Sequence, residues 1–214
     1  MRGPFYHHSL MECPACQAPT LESAAACACG FTMAALDKLL GIPPALQDTV
    51  TDLTSEFTRG EVRRIEREVD RLERLFPQLR FSIVSAEVPE NATLALYAFW
   101  LFNRGGLTAA TERGSQNRLI MLALDPKAGR AACMIGYGLE PFLGEPRLTS
   151  ALHAALPALA ADQPGKAVLS FLSEMERQLA ECTSELHRTF GIGDFEYQGL
   201  AHFLDSEQAA SVVY

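Results

Sequence analysis

Positive charge is scarce in this sequence of 214 residues. It holds 18 lysine and arginine residues against 26 aspartate and glutamate residues, which gives a formal net charge of −8. Affinity for nucleic acid comes chiefly from basic side chains that displace counterions from phosphates, so we expect no nucleic-acid binding by the chain. Residues 11–36 contain no lysine or arginine, which argues against such binding by that segment as well.

Long apolar runs are also missing. The longest one spans residues 92–102 and has eleven residues, whereas about 20 are needed to cross a bilayer. Residues 1–10 lack the apolar segment and the cleavage site of a secretory signal. We therefore expect a cytoplasmic protein without membrane partners, in which residues 1–10 form a disordered leader.

The rest of the composition is typical of a globular protein, with 48% hydrophobic and 21% charged residues. The length predicts one medium domain with a small appendage. Four of the six cysteines lie within residues 13–29, and a proline pair follows at 43–44. We predict a zinc ribbon at 11–36, a linker at 37–54, an α/β domain at 55–190 and a C-terminal extension at 191–214.

The four clustered cysteines are the strongest chemical signal in the sequence. Cys13 and Cys16 form a C-x-x-C pair, and Cys27 and Cys29 form a C-x-C pair that is followed by Gly30. Two such turns, called knuckles, can supply four thiolates to a tetrahedral zinc ion, and glycine suits the left-handed turn after a knuckle. A segment this short needs support beyond apolar burial. We therefore predict structural zinc.

The alternatives for the cluster are a disulfide pair in an exported protein and a redox C-x-x-C. Absence of an export signal weighs against disulfides, and absence of a surrounding βαβ pattern weighs against a redox motif. A zinc ion with four protein ligands has no open coordination position, so we expect no catalysis at it. We expect the remaining cysteines, Cys133 and Cys182, to be inert core residues because they lie in apolar segments.

Hydrophobic periodicity predicts an α/β fold. Helices are predicted at 60–76, from an N-cap at Asn91 to 102, at 147–160 and at 166–187. Strands are predicted at 79–88 and 119–124, and a turn at 125–129 leads to an antiparallel strand at 131–135. This order is typical of an open sheet with helices on both faces.

A short motif, Gly136, Tyr137, Gly138, Leu139 and Glu140, directly follows the last predicted strand. We expect a sharp turn that presents the tyrosine and the glutamate at the surface. With the surrounding pattern of helices and strands over residues 55–185, the motif resembles the TPM domain family. That family is named for a thylakoid-lumen phosphatase, a photosystem II repair factor and an acetylcholine-receptor auxiliary protein.

The resemblance implies a Rossmann-like α/β/α sandwich with a mixed sheet. It also implies a divalent-cation site, because some family members resemble cation binders and a weak acid-phosphatase activity has been ascribed to others. Carried over, Glu140 matches the motif glutamate, Glu145 replaces an acid usually found as aspartate, and Asn117 stands where asparagine or aspartate is common. Calcium or magnesium is the implied ion. The acid expected before the first helix is not securely matched by Asp48 or Asp52.

Other acids give separate support for a cation site. Glu87, Glu90 and Asp125 follow predicted strands, so parallel strands place them near one edge of the sheet. The alternative is that these acids cap helices and solvate turns. No nucleophile with a base is visible, since His153 and His187 are isolated on helices.

We therefore expect a non-catalytic interaction or assembly-assisting protein that uses its zinc ribbon to dock onto another protein. The alternative is a divalent-cation-dependent phosphatase, and no catalytic residue is assigned to it. Within the loop that follows the hairpin, we expect Leu139 and Phe142 to point inward and Glu140 to face solvent.

Overall fold

The structure is a computed structural model that describes residues 10–21, 24–47, 49–107 and 115–190, with side chains at 13–21, 24–47, 49–107 and 117–185. The predicted leader, except Leu10, and the predicted C-terminal extension lie outside these residues. The chain divides into two compact units, of which the first ends at Glu176 and the second begins at Arg177. No helix in the described ranges is long and apolar enough to span a membrane.

Six strands and five α-helices make up the described fold. The strands are β1 (Leu10–Glu12), β2 (Pro19–Leu21), β3 (Val50–Asp52), β4 (Arg80–Ser85), β5 (Leu119–Asp125) and β6 (Arg130–Ile135). The helices are α1 (Met33–Leu40), α2 (Arg59–Leu75), α3 (Leu94–Arg104), α4 (Glu145–Ala160) and α5 (Pro164–Phe190), and a 3₁₀ helix covers Ser115–Arg118.

The main sheet has four strands in the order β3-β4-β5-β6. The first three are parallel, and β6 returns antiparallel to β5 with Leu122 opposite Cys133. The turn between β5 and β6 includes Gly129, whose φ of 63° lies in the left-handed region that favours glycine. β1 and β2 form a separate antiparallel pair. The predicted α/β fold with a mixed sheet is confirmed.

Helix α2 shows how local sequence sets the element boundaries. Thr58 and Glu61 form a capping box at its start, and Ile65, Val69 and Leu72 form its buried stripe. The helix contacts β3 and β4. At α3, however, the predicted N-cap was wrong: the side chain of Thr93, not Asn91, accepts a hydrogen bond from the backbone N–H of Leu96 at 3.2 Å.

The core explains the long apolar run of β5. All seven residues of this strand are buried, as expected for a strand covered on both faces. On one face, Met121 and Ala123 share a cluster with Trp100 and Leu101 of α3 and with Leu36 of α1. The alternating residues Ile120, Leu122 and Leu124 belong to the opposite face and are fully buried as well.

The range 37–54, predicted as a linker, contains the second half of α1 and all of β3. Leu46, between these two elements, also contacts the α/β fold. The backbone N–H of Leu46 donates to the carbonyl of Gly105 at 3.0 Å, and a Cβ on Gly105 would lie 2.4 Å from Leu46 Cδ1. This range is therefore part of the packed structure, and independent folding of residues 46–190 stays a prediction.

Candidate metal centre

Two backbone turns position the four clustered cysteines. In the first, between β1 and β2, the N–H of Gln17 donates to the carbonyl of Cys13 at 2.8 Å. In the second, the N–H of Gly30 donates to the carbonyl of Cys27 at 2.9 Å. Gly30 has a φ of 87°, which confirms the left-handed turn predicted after the second knuckle.

The sulfur atoms of Cys13, Cys16, Cys27 and Cys29 all lie within 4.8 Å of one another. Cys13 Sγ is 3.8 Å from Cys29 Sγ, and Cys16 Sγ is 3.7 Å from Cys27 Sγ. A disulfide needs about 2.05 Å, so these cysteines are free. A tetrahedron with metal–sulfur bonds of about 2.3 Å has sulfur–sulfur edges of about 3.8 Å. The spacing therefore fits a four-coordinate metal ion.

The four cysteines differ in exposure, and two of them have shifted pKa values. Cys13 and Cys27 are buried, and Cys16 and Cys29 are exposed. The hydroxyl of Thr20 donates to Cys27 Sγ at 3.3 Å and is the main reason that the pKa of Cys27 is lowered to about 6. A backbone hydrogen bond from Ala18 lowers the pKa of Cys16, but hydrogen bonds with neighbouring thiols outweigh it and raise the value to about 12.

These opposite shifts mean that Cys27 loses its proton more easily than Cys16 does. The protonated thiols donate to the first thiolate, and further ionisation would place like charges side by side. A divalent cation relieves that repulsion and displaces the remaining protons. The donor set therefore suits a cation that prefers thiolate ligands.

The residues after the second knuckle attach the cysteine module to the α/β fold. The rings of Phe31 and Phe99 make an edge contact with centroids 6.1 Å apart. In α1, Asp37 accepts a hydrogen bond from Trp100 Nε1 at 3.0 Å and forms an ion pair with Arg104 at 2.8 Å. The sequence analysis missed this attachment, since no local spacing pairs Asp37 with a tryptophan 63 residues later.

The structure brings Asn117 next to the Gly-Tyr-Gly motif. The N–H of Gly136 donates to the carbonyl of Leu119 at 2.9 Å, and a Cβ on Gly138 would lie 2.7 Å from the carbonyl oxygen of Asn117. Glu140 is exposed, as expected, and Glu145 is the first residue of α4. A cation-binding role for Asn117, Glu140 and Glu145 stays a prediction.

The packing of this loop differs in part from the expectation. Leu139 is buried, but Phe142 is 44% exposed and Leu143, at 1% exposure, takes the inward position. The reason is the turn itself: the N–H groups of Phe142 and Leu143 both donate to the carbonyl of Leu139, which tightens the chain by a helical turn. The next residue, rather than Phe142, then faces the core.

At the carboxyl edge of the sheet, the acids are already engaged with protein groups. Glu87 pairs with Lys127 at 3.0 Å. The buried Asp125 pairs with Arg130 at 2.7 Å and accepts a hydrogen bond from the N–H of Ala128 at 3.3 Å. The pKa of Lys127 is raised, first by the hydrogen bond to Glu87 and then by attraction to neighbouring carboxylates. Glu90 is exposed.

Asp52, which the sequence analysis did not assign, ends β3 at this same edge. Its carboxylate accepts hydrogen bonds from the backbone N–H groups of Thr54 at 3.2 Å and Phe57 at 2.9 Å. The hydroxyl of Thr54 donates to Asp52 Oδ1 at 3.0 Å and lies 2.5 Å from Ser85 Oγ. Asp52 thus fixes the turn into α2, and the short polar segment after it was the available signal.

The two predicted sets of acids lie at opposite ends of β5. Asp125 is the last residue of that strand and Glu87 follows the parallel β4, so both are at its carboxyl end. Asn117 precedes β5, and β6 runs antiparallel and returns the segment 136–140 to the same amino end. The structure therefore does not join them into one acidic site. In the described part of the chain, only the four cysteines group three or more ligand-type side chains.

The two isolated cysteines are not arranged as nucleophiles. Burial raises the pKa of Cys133 to about 12, so its thiol stays protonated near neutral pH. Cys182 is buried, and His153 is exposed on α4. The side chain of His187 lies outside the described residues.

Fold and site together define an α/β domain that carries a four-cysteine candidate metal centre. No protein-family model matches the chain, and no curated protein matches it. The resemblance to the TPM domain family therefore stays a hypothesis.

Two solution NMR structures are similar to this chain. The N-terminal domain of the cg2496 protein from Corynebacterium glutamicum is 17% identical with a TM-score of 0.49, over 64% of this chain and 83% of that one. The N-terminal domain of a protein from P. gingivalis is 17% identical with a TM-score of 0.48, over 67% of this chain and 87% of that one.

Proposed function

We propose that the protein is a non-catalytic interaction module in which a structural zinc ion holds a small ribbon that docks onto another protein. Cys13, Cys16, Cys27 and Cys29 would be the zinc ligands, and the attached domain would be of the TPM type. The observation that carries the proposal is the spacing of the four sulfur atoms, with closest pairs at 3.7 and 3.8 Å.

Zinc is favoured by the chemistry of the donors. Four thiolates in a tetrahedron are typical of structural zinc sites and of iron–sulfur sites, and hard cations such as calcium prefer oxygen. Zinc needs no redox partner and is held by knuckles of this kind. When bound, it would supply a structural cross-link between the two turns, with all four positions filled by protein.

The acids at the carboxyl edge of the sheet favour a non-catalytic protein. Lys127 supplies positive charge beside Glu87, and Arg130 does so beside Asp125. Asp52 is committed to the turn before α2. A divalent cation there would have to displace these partners, which disfavours a metal-dependent hydrolase at that edge.

Exposed apolar side chains near the ribbon favour a docking role. Leu21 ends β2 and is 43% exposed, Leu39 near the end of α1 is 46% exposed, and Ile42 just after it is 94% exposed. Leu39 and Ile42 are three residues apart at the end of α1, and neighbouring exposed apolar side chains are typical of sites that contact another protein. The absence of lysine and arginine from residues 11–36 favours a protein over a nucleic acid.

Metal analysis of protein purified from zinc-replete growth tests the metal centre. We expect one zinc per chain in the wild type and in Cys133→Ala, and a clear loss in Cys13→Ser, because a three-thiolate site binds zinc more weakly. Less than half an equivalent in the wild type, or full zinc in Cys13→Ser, would contradict the zinc assignment.

Docking is tested by comparing the proteins that bind to the full wild-type chain with those that bind to its surface variants. We expect a bound protein to be lost in Leu39→Asp with Ile42→Asp while the zinc content is unchanged. Leu156→Asp is the matched control, since Leu156 is 39% exposed but lies on α4. If the bound protein is retained equally by both variants, Leu39 and Ile42 are not part of a docking surface.

The phosphatase alternative makes a different prediction. If Glu140 and Glu145 bound calcium or magnesium, either ion would raise the melting temperature by mass action, and Glu140→Gln would remove the effect. We expect no such shift and no hydrolysis of a phosphate monoester above the buffer rate. A shift that depends on Glu140, with activity, would favour the enzyme.

A further inference from the structure

A cavity of about 660 Å³ lies between α2, α4 and the first turns of α5, away from the cysteines. All its lining residues belong to the first compact unit. Its volume falls in the range of about 300–1,000 Å³ that is usual for small-molecule sites. Ala154 of α4 and Leu169 of α5 form its apolar part.

Polar residues follow one another at helical spacing on the side of α5 that faces this cavity. Lys166, Ser170 and Ser173 line it and follow one another at i, i+4 and i+7, so they form one stripe of the helix. Lys166 and Ser173 are exposed and Ser170 is half-buried, so the stripe lies on the open side of the cavity. Here it presents one ammonium group and two hydroxyls to an open volume, which is the composition of a polar binding site.

Two acids also line the cavity, and both are held by protein donors. Glu61 Oε2 accepts hydrogen bonds from the backbone N–H and the hydroxyl of Thr58 at 2.9 and 2.7 Å. Its other oxygen lies 2.4 Å from the position of a Cβ on Gly165, so any larger residue there would require the Glu61 side chain to shift. Glu174 Oε1 accepts from the hydroxyl of Ser150 at 2.7 Å.

The two basic side chains that line the cavity are available to bind a ligand. Arg64 of α2 and Lys166 of α5 line it, are exposed, and have no hydrogen-bond or ion-pair partner within the described ranges. Elsewhere on α2, Arg71 pairs with Glu68 and Glu176. The two carboxylates of the cavity are engaged by Thr58 and Ser150, so neither cation is paired with them.

We propose that this cavity binds the phosphate group of a small phosphomonoester, with Arg64 and Lys166 as its cationic partners and Ser170 and Ser173 as hydroxyl donors. A guanidinium group matches phosphate oxygens with paired donors, and an ammonium adds a point charge. The apolar wall at Ala154 and Leu169 would contact the organic part of the ester. This site goes beyond the proposed docking function and does not depend on the zinc.

A ¹H–¹⁵N NMR titration of the full chain tests the site, with glycerol 3-phosphate and inorganic phosphate as the two probes and sodium chloride at matched ionic strength as the blank. We expect saturable shifts at the amides of Arg64 and of residues 165–173, with the ester bound more tightly than free phosphate. Arg64→Gln and Lys166→Gln should each weaken binding about tenfold, the loss of one charge-assisted contact.

The matched control is Arg63→Gln, because Arg63 is exposed on the same helix but does not line the cavity. It should leave binding unchanged, and the spectra themselves show that each variant is folded. An equal loss in Arg63→Gln, shifts reproduced by sodium chloride, or no saturation at about 50 mM, a range of negligible affinity, would overturn the site. Tighter binding of inorganic phosphate than of glycerol 3-phosphate would contradict the assignment of a phosphomonoester as the ligand.

Discussion

Two serines of β4 differ sharply in what surrounds their hydroxyls. Both Ser82 and Ser85 are fully buried. Ser85 Oγ lies 2.5 Å from Thr54 Oγ1, which in turn donates to Asp52. Ser82 Oγ, on the opposite face of the strand, is the buried side-chain oxygen that lacks a hydrogen-bond partner among the described residues. A buried hydroxyl without a partner carries its desolvation cost without compensation.

The pair predicts opposite effects of the same substitution. Ser82→Ala should raise the free energy of unfolding by up to about 1 kcal/mol, because it removes an uncompensated polar group. Ser85→Ala should lower it by about 1 kcal/mol, because Thr54 Oγ1 loses the hydrogen bond with Ser85 and keeps only the one that it donates to Asp52. Urea unfolding of the two variants measures both values. A larger loss in Ser82→Ala than in Ser85→Ala would show that the hydroxyl of Ser82 is bonded after all.

Between elements, the contact of α1 with α3 combines apolar packing and one shared carboxylate. Leu36 is buried with Trp100 and Leu101, and Asp37 accepts from both Trp100 and Arg104. The pKa of Asp37 is lowered, first by the hydrogen bond from Arg104 and then by that from Trp100. The folded state therefore binds the proton of Asp37 more weakly than the unfolded chain does.

That shift fixes the direction of a pH effect. The stability contributed by ionised Asp37 is fully present above its unfolded pKa, near 4, and is lost as the pH falls through the lower pKa of the folded state. Trp100, the single tryptophan of the chain, reports the contact by fluorescence during urea unfolding at pH 5 and about pH 2.5. We expect the free energy of unfolding of Asp37→Asn to depend less on pH than that of the wild type. Asp70→Asn, an exposed control on α2, should show the same pH dependence as the wild type.

Elements whose signal is local were predictable, and those defined by distant partners were not. The capping box and buried stripe of α2, the apolar run of β5 and the cysteine spacing all lie within short windows of sequence. β3 has only three residues, Val50–Asp52, and owes its pairing to β4 about 30 residues later. The resemblance and the strand pattern named acidic residues in two separate stretches of sequence, and the antiparallel return of β6 places these at opposite ends of β5.

At the scale of the whole molecule, the proposed metal centre and the packing of α1 on α3 lie close together in the chain. The path from the cysteines to the core is short, since Cys27 and Phe31 share a backbone hydrogen bond of 3.0 Å and Phe31 contacts Phe99. The attachment of α1 nevertheless rests on its own residues, Leu36 and Asp37. We therefore expect the proposed metal binding and the docking of α1 to be separable.

Removal of the metal by a chelator should consequently affect the cysteine turns and spare the contact of α1 with α3. We expect four thiols to become reactive towards a disulfide reagent, because Cys13, Cys16, Cys27 and Cys29 lose their ligand bonds and two of them are exposed. The buried Cys182 and the protonated Cys133 should react only on global unfolding. Trp100 emission should stay at the wavelength of a buried indole, and readdition of zinc should protect the four thiols again. In Cys13→Ser, the three remaining thiols of the cluster should be reactive without any chelator. If chelation instead exposes Trp100, the metal holds α1 on α3, and the two features form one cooperative unit.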